Sequence, residues 1–306
     1  MFTIETKNLT YSYGYNKKVV KDLSLQVPQG SIYGFLGPNG AGKTTTIRLL
    51  TGMLLSGEDN IYINGKSLQK NIPLIFESIG ALIETPSLYL HLTGRENLKI
   101  IRLLRNLKKE VGEKALKTVG LTDAGNRKVK EYSLGMKQRL GIAMSMLSDP
   151  QLLILDEPAN GLDPAGIIEI RELLTRLNRE EGKTIFISSH LLSEVEKTVT
   201  HIGIISNGEL KYNGTLQQMK NEAYSSSEVL FKIPDASDWF NRLQQKFEAA
   251  IQISHDEISI PATSQNEVAY INQSLVNMNI PVSGIQLRGG LEEWFMQIVQ
   301  QQKQVA

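Results

Sequence analysis

The chain has 306 residues, with 33 lysines and arginines against 32 aspartates and glutamates, so its net charge is close to zero. This length is enough for one large domain and one small one, and so neutral a balance is unusual for a protein that binds nucleic acid through its overall charge. The chain has no cysteine, which excludes thiol catalysis, cysteine-bound zinc and iron–sulfur chemistry and fits a reducing compartment.

Neither a signal peptide nor a membrane-spanning segment is predicted. Residues 1–13 lack the basic start and apolar core of a signal peptide. The longest apolar runs, such as Leu152–Leu155 and Ile202–Ile205, have the length of buried strands, far from the roughly 18 residues of a spanning helix. If the protein moves something across a membrane, we expect another chain to supply the channel.

The first two hundred residues alternate short apolar runs with segments of helical periodicity. In chain order the pattern predicts strands at 3–9, 19–27 and 31–36, a helix from 42, a hairpin turn at 64–65, helices at 94–119 and 133–147, a strand at 152–155, a helix at 166–179, a strand at 184–188, a helix at 191–197 and a strand at 202–205. Strands that alternate with helices predict an α/β fold with a mainly parallel sheet covered on both faces.

The chain changes character after residue 216. Residues 217–227 are polar and include a run of serines at 225–227, which indicates a linker. Beyond it we expect a strand at 229–233, a helix at 235–248, strands at 251–254 and 258–260, a helix from the capping box Ser264–Glu267 to 278, a strand at 282–287 and a helix at 291–301. This order is that of a small α+β, ferredoxin-like sandwich. We therefore predict domains at 1–220 and 228–306, joined by a linker at 221–227.

A phosphate-binding loop is predicted between the third strand and the first helix. Residues 37–44 fit the pattern GxxxxGK[ST] in the required strand–loop–helix context. Glycines let backbone N–H groups surround phosphate oxygens, and the following helix presents its positive end. Lys43 is expected to contact the β- and γ-phosphates, and Thr44 to offer a hydroxyl to Mg²⁺. The predicted nucleotide-binding residues here are Gly37, Pro38, Asn39, Gly40, Ala41, Gly42, Lys43, Thr44 and Thr45.

A second motif narrows the chemistry from nucleotide binding to hydrolysis. The apolar run Leu152–Leu155 ends in two carboxylates, Asp156 and Glu157. Asp156 is expected to hold Mg²⁺, directly or through water, and Glu157 to act as the general base that polarises the attacking water. Two acids that merely solvate the end of a strand are the alternative, and the phosphate-binding loop argues against it.

With these motifs in place, residues 1–220 resemble the nucleotide-binding subunits of ABC transporters. Residues 132–139, Tyr-Ser-Leu-Gly-Met-Lys-Gln-Arg, are similar to the family's LSGGQ signature, with Leu134 in place of a glycine and Met136 in place of a glutamine. The resemblance implies a P-loop ATPase domain with a mixed sheet and a helical subdomain, and it implies ATP as the nucleotide.

The same resemblance gives roles to single residues. It implies that Tyr13 stacks on adenine, that His190 contacts the γ-phosphate and that Asp163 lies in the loop connecting the two sites of a dimer. Ser133 and Gly135 of one copy would close over the γ-phosphate bound by a second copy, which suits a hydroxyl at a helix N-terminus. We therefore expect an ATP-dependent dimer in which Lys43, Glu157 and His190 form the catalytic group.

Glu84 departs from the wider family, which has a glutamine in the loop that senses Mg²⁺ and touches the membrane subunit. A carboxylate can still coordinate Mg²⁺, although it cannot donate a hydrogen bond as an amide does. This glutamate, residues 132–139 and Ile-Phe-Ile-Ser-Ser-His at 185–190 together resemble the bacitracin-resistance and lantibiotic-immunity exporters. The predicted metal-contacting residues are Thr44, Glu84 and Asp156.

These observations predict the ATP-hydrolysing subunit of an antimicrobial-peptide exporter, peripheral on the cytoplasmic side of the cell membrane and bound to a separate polytopic permease. One alternative is a soluble ABC ATPase that acts on ribosomes or nucleic acid. Such proteins usually have two cassettes or a coiled-coil insertion, whereas this chain has one loop motif and a near-neutral charge, so no nucleic-acid partner is expected. The second alternative is a module that binds ATP without hydrolysing it, and the presence of Glu157 and His190 argues against it.

Overall fold

The computed structural model describes residues 1–14, 17–225 and 227–300 of the chain. The chain divides into two compact units, Met1–Gly214 and Thr215–Ala306, so the boundary lies a few residues before the position near 220 that the sequence suggested. Within the described ranges, every helix is too short or too polar to cross a bilayer.

The strands of the first unit occur where the sequence alternates or is continuously apolar. They are β1 (Phe2–Thr6), β2 (Leu9–Ser12), β3 (Lys18–Leu23), β4 (Gln26–Pro28), β5 (Ile32–Leu36), β6 (Ile61–Ile63), β7 (Lys66–Ser67), β8 (Ile79–Leu82), β9 (Leu152–Asp156), β10 (Thr184–Ser189), β11 (His201–Ser206) and β12 (Glu209–Thr215). The strands predicted at 3–9 and 19–27 each divide in two, and β8 lies where the sequence pattern predicted no strand.

The helices of the first unit are α1 (Lys43–Leu50), α2 (Gly94–Leu104), α3 (Glu110–Thr118), α4 (Leu134–Ser145), α5 (Pro164–Glu181) and α6 (Leu192–Val195). Short 3₁₀ turns occupy Gln69–Asn71, Leu74–Glu77 and Val129–Glu131. The single helix predicted over 94–119 is two helices. Asn106, just beyond α2, has a φ of 51°, a left-handed conformation that a continuing helix cannot contain. The two helices and α4 pack on one another, which gives the helical subdomain that the resemblance implied.

Two main sheets form the first unit. The larger has the order β12-β11-β5-β10-β9-β8, in which β8, β9, β10, β5 and β11 run parallel. The two-residue turn Asn207–Gly208, with φ angles of 51° and 84°, folds β12 back beside β11 and makes the sheet mixed. The smaller sheet, β4-β1-β6-β7, is antiparallel, and β2 and β3 form a separate hairpin.

The core of the first unit joins the two sheets and α1. It includes Ile4 of β1, Phe35 of β5, Ile47 of α1, Ile154 of β9 and Phe186 of β10, all fully buried. Because parallel strands end at the same edge, this packing brings the residues that follow β5, β9 and β10 together. That edge holds the phosphate loop, the two carboxylates and the histidine that the sequence singled out.

The second unit contains β13 (Glu228–Lys232), β14 (Ile251–Ser254), β15 (Glu257–Pro261), β16 (Gly284–Arg288), α7 (Leu216–Ser225), α8 (Ala236–Gln244), α9 (Gln265–Asn277) and α10 (Leu291–Gln300). Its antiparallel sheet has the order β14-β15-β13-β16, which together with the order of elements along the chain is the split βαβ arrangement of ferredoxin-like folds. Phe231 and Ile258 are paired across the sheet and share a buried core with Leu243 of α8 and Leu275 of α9.

The segment predicted to be a linker is largely helical. Helix α7 covers most of 217–227 and contacts α10 within the second unit. Its polar surface, where Gln217 donates to Asn221 one turn later, resembles a linker in composition alone. Ser226, the middle serine of the predicted linker, and Gln301, the predicted end of the last helix, lie outside the described residues.

Candidate active site

The loop between β5 and α1 has the backbone that phosphate binding requires. Gly40 and Gly42 have φ angles of 79° and 110°, which favour glycine. A Cβ at Gly37 would lie 2.2 Å from the backbone oxygen of Ile205, so the neighbouring strand leaves no room for a side chain there. The loop therefore packs tightly against β11 and leads directly into the N-terminus of α1.

The side chain of Lys43 is hydrogen-bonded to the backbone of this loop. The side chain is 6% exposed, and its Nζ donates to the backbone oxygens of Gly37 at 2.8 Å and Pro38 at 3.3 Å. Ala41 N donates to the same Pro38 oxygen, and Ala41 O accepts from Gly208 N. Of the other residues predicted to bind nucleotide, Asn39 and Gly40 are exposed, whereas Thr45 is buried. Thus the predicted phosphate-binding lysine is fixed at the centre of its own loop.

Asp156, the last residue of β9, connects the phosphate loop to β10. Its Oδ2 accepts from the Thr44 hydroxyl at 2.9 Å and its Oδ1 from the Ser188 hydroxyl at 2.5 Å. Ser188 stands directly opposite Asp156 in the parallel pairing of β10 with β9, and its hydroxyl also accepts from the backbone N of Glu157 at 2.9 Å. Sequence reasoning gave Ser188 no role. Its place before His190, at the end of a strand, was the available signal.

Glu157 lies between two basic side chains. His190 Nδ1 donates to its Oε2 at 2.6 Å, and Lys43 Nζ lies 3.3 Å from its Oε1. The backbone of Glu157 has a φ of 48°, a conformation that a non-glycine residue adopts at a cost of about 1–3 kcal/mol. A carboxylate that is 20% exposed and held from both sides fits the role of general base that the sequence predicted.

Glu84, which follows β8, faces the same cleft but binds a different partner. The cleft has a volume of about 520 Å³, and Thr44, Asp156 and Glu157 also line it. The carboxylate of Glu84 forms an ion pair with Arg48 of α1, and its backbone is left-handed with a φ of 59°. Glu84 therefore lines the same cleft as the other two predicted metal contacts, although one of its oxygens is paired with a guanidinium.

Tyr13 interacts with the same arginine. The pKa of Arg48 is raised above its ordinary value by hydrogen bonding to the Tyr13 side chain and by the Glu84 carboxylate. Tyr13 is 45% exposed and packs edge-to-face on Tyr11 at a ring distance of 5.1 Å. An exposed aromatic beside the phosphate-loop helix fits stacking on a base. Arg48, which connects it to Glu84, had no role in the sequence analysis.

Ser133 and Asp163 each cap a helix. The Ser133 hydroxyl accepts from Met136 N at 3.2 Å at the start of α4, and Asp163 Oδ1 accepts from Gly166 N at 3.0 Å at the start of α5. Ser133 is exposed, and a Cβ at Gly135 would meet no atom closer than 3.9 Å. The described contacts of these residues are local and separate from the hydrogen bonds around Asp156, and their role toward a second copy stays a prediction.

The fold and the site together define a P-loop ATPase of the cassette type. Residues 20–160 match the family described as ABC transporter. The bacitracin transport ATP-binding protein BcrA of Bacillus licheniformis is 40% identical over 299 residues, which are 97% of each chain. The chain belongs to the ATP-binding proteins of the ABC transporter family, binds nucleotide and hydrolyses ATP.

Other relatives match a smaller part of the chain. The lantibiotic transport ATP-binding protein SrtF of Streptococcus pyogenes is 39% identical over 230 residues, covering 75% of this chain and 98% of its own length. The solved structure of cbiO1 from Clostridium perfringens, part of the ABC transporter complex cbiONQ, superposes with a TM-score of 0.66 at 27% identity, over 71% of this chain and 90% of that one. These relatives are transport proteins by name, which favours the transporter hypothesis over an ATPase of ribosomes or nucleic acid.

Proposed function

We propose that this chain drives the export or extraction of an antimicrobial peptide of the bacitracin or lantibiotic type through a separate membrane permease. The peptide class is inferred from the names of relatives that are about 40% identical. The observation that supports coupling to hydrolysis is the Glu157 carboxylate, held between Lys43 and His190 at the end of β9. A protein that only bound ATP would have no need of a base in this position.

In the proposed mechanism Glu157 takes the proton of the attacking water and His190 orients the carboxylate. The 2.6 Å hydrogen bond from His190 fixes one oxygen, which leaves the other to face the reacting centre once Lys43 turns to the phosphates. Lys43 neutralises charge that develops on the phosphate oxygens. Of the predicted catalytic group, Glu157 acts as the base, and Lys43 and His190 act by binding and positioning.

Mg²⁺ fits the oxygen atoms at this edge of the sheet. The Thr44 hydroxyl and the Asp156 carboxylate are 2.9 Å apart, and Glu84 lines the same cleft. Hydroxyl and carboxylate oxygens are the ligands that Mg²⁺ prefers, and they usually hold it together with substrate phosphates. We propose that Thr44 and Asp156 hold the ion, which when bound would neutralise the β- and γ-phosphate charge.

A permease and a second copy are the proposed partners, with the chain peripheral on the cytoplasmic face of the membrane. Ser133 and Gly135 would complete the site of the second copy, as the resemblance to the family implies. For the permease, the loop after Glu84 offers Tyr89 and Leu90, about half exposed. Buried Asn97 holds this loop, because it accepts from Tyr89 N at 2.9 Å and donates to Tyr89 O at 3.1 Å. A rigid loop with apolar tips suits docking of a helix from the partner.

The test is resistance in cells. A sensitive host would express the chain together with a candidate permease, and the minimum inhibitory concentrations of bacitracin and of a lantibiotic would be measured. The matched control is Glu157→Gln, which should fold and bind ATP without hydrolysing it. We expect a several-fold rise in resistance to one of the two peptides with the native chain and none with the variant. Equal resistance from both chains, or none to either peptide, would contradict the proposal.

A further inference from the structure

Arg48 lies one helical turn after Thr44 on α1. Residues four apart on a helix share a face, so the guanidinium of Arg48 and the hydroxyl of Thr44 border the same side of α1. Arg48 is 35% exposed, and Glu84 approaches it from the loop after β8. The ion pair joins residues separated by 36 positions in sequence, and it places a cation one turn from the oxygens proposed to hold Mg²⁺.

The pair occupies one of the two oxygens of the carboxylate that is predicted to contact the metal. Glu84 Oε1 is the atom that accepts from Arg48, whereas Glu84 lines the cleft that Thr44 and Asp156 also border. A guanidinium and a divalent cation repel each other when they share one carboxylate, and each binding event takes lone pairs from the other.

We propose that Arg48 is a positioning residue that competes with Mg²⁺ for the Glu84 carboxylate, so that the Arg48–Glu84 ion pair must open when MgATP binds. This inference rests on the proposed function, since it takes Thr44 and Asp156 as the residues that hold the metal and adds Glu84 as a further contact. The competition depends on having a glutamate at position 84, because a neutral glutamine there could not form an ion pair with Arg48. Opening of the pair releases Glu84, at the start of the segment that leads to Tyr89, and thereby links the nucleotide to the docking loop.

The experiment measures how Mg²⁺ changes nucleotide affinity. A fluorescent, non-hydrolysable ATP analogue would be titrated into the full chain in EDTA and at a series of Mg²⁺ concentrations. The variants are Arg48→Ala, Arg48→Lys, Glu84→Gln and the double variant Arg48→Ala/Glu84→Gln. Arg95→Ala is the matched control, because Arg95 also forms an exposed ion pair with a glutamate, Glu113, but in the helical subdomain. An Arg48 substitution could also disturb the predicted contact of Tyr13 with adenine. Such an effect would change nucleotide affinity equally in EDTA and in Mg²⁺, so the titrations in EDTA detect it.

Arg48→Ala should lower the half-saturating Mg²⁺ concentration about two- to fivefold, the range for a partly exposed ion pair. Arg48→Lys should give a smaller shift, since an ammonium keeps the charge but loses the planar fork. In the Glu84→Gln background, removal of Arg48 should change nothing further, because the two changes act on one interaction. Arg95→Ala should match the native chain.

An unchanged or raised Mg²⁺ midpoint in Arg48→Ala would overturn the proposal, as would a shift that persists in the Glu84→Gln background. Both results leave Mg²⁺-dependent binding intact, so they contradict the role of Arg48 alone. A native chain that binds the analogue equally well in EDTA and in Mg²⁺ would contradict the metal site itself, and with it the proposed function.

Discussion

His190 donates to one oxygen of Glu157 at 2.6 Å, while Lys43 lies 3.3 Å from the other. One carboxylate is thereby held by two side chains that come from different parts of the sheet edge, the phosphate loop and the end of β10. The left-handed backbone of Glu157 helps to aim it, since an extended residue would continue along β9. The arrangement makes the position of this base depend on both neighbours.

Glu157→Gln should abolish steady-state ATP hydrolysis and keep ATP binding. The amide cannot accept a proton from water, so the rate should fall by roughly 10²- to 10⁴-fold, while the phosphate loop is unchanged. Phosphate release and equilibrium binding of a fluorescent ATP analogue measure the two effects. Glu172→Gln, at an exposed position of α5, is the control and should behave as the native chain. Near-normal turnover of Glu157→Gln would remove this residue from the role of base.

Gly37→Ala should destabilise the first unit. Its Cβ would lie 2.2 Å from the backbone oxygen of Ile205, and backbone cannot move aside cheaply, so we expect a loss of about 1–3 kcal/mol and weaker ATP binding. Gly112→Ala is the control, because a Cβ there meets nothing within 4 Å and the position lies inside α3. That change should stabilise the protein by about 0.5–1 kcal/mol. Urea unfolding followed by circular dichroism compares the two, and equal stabilities would be the contrary result.

Much of this site was predictable because its elements have local signals. The strand–loop–helix around residues 37–44, the strand that ends at Asp156 and the turn at Asn64–Gly65 depend on neighbouring residues, and the structure has each of these elements. The break at Asn106 was missed, since the apolar spacing continues on both sides of it. Helix α7 was missed because a polar composition looks the same in a linker and on a helix surface.

Contacts between residues that are distant in sequence could not be predicted from local sequence patterns. Arg48 and Glu84 lie in a helix and a loop whose proximity depends on the order of strands in the sheet, which periodicity does not give. Ser188 likewise acquires its place through its register with Asp156. The sequence could predict which residue types do chemistry, but not the partners that orient them.

Gly135→Asp should fold normally yet fail to form the proposed ATP-dependent dimer. The position has room, since its Cβ would meet nothing closer than 3.9 Å, and an acidic residue in the first turn of α4 favours the helix. In a dimer, the added carboxylate would face the γ-phosphate held by the other copy. Light scattering in the Glu157→Gln background should give a dimer with MgATP, and a monomer once Gly135→Asp is added. A dimer with both changes would contradict this use of the signature segment.

The second unit should be dispensable for ATP binding. The residues proposed to contact nucleotide or metal all lie in Met1–Gly214, and SrtF matches only 75% of this chain. A chain that ends at Thr215 keeps β12 whole and should bind the ATP analogue with an affinity within about threefold of the native value. A chain that ends at Ser225 keeps α7 without α10 and should be less soluble. A shorter chain that folds, by circular dichroism, but no longer binds would contradict the prediction.

Glu84→Ala should reduce peptide resistance in cells more than the ATPase rate of the purified chain. The carboxylate precedes the loop to Tyr89 that we propose meets the permease, so its loss removes the connection between the metal and that loop, whereas Glu157 and His190 keep their contact. Glu84→Gln should be milder, because it keeps one acceptor oxygen at a similar reach. Resistance and ATPase activity would be measured side by side for both variants, with Glu77→Gln, in the short 3₁₀ turn before β8, as a control. If resistance and hydrolysis fall in proportion, Glu84 serves hydrolysis rather than coupling.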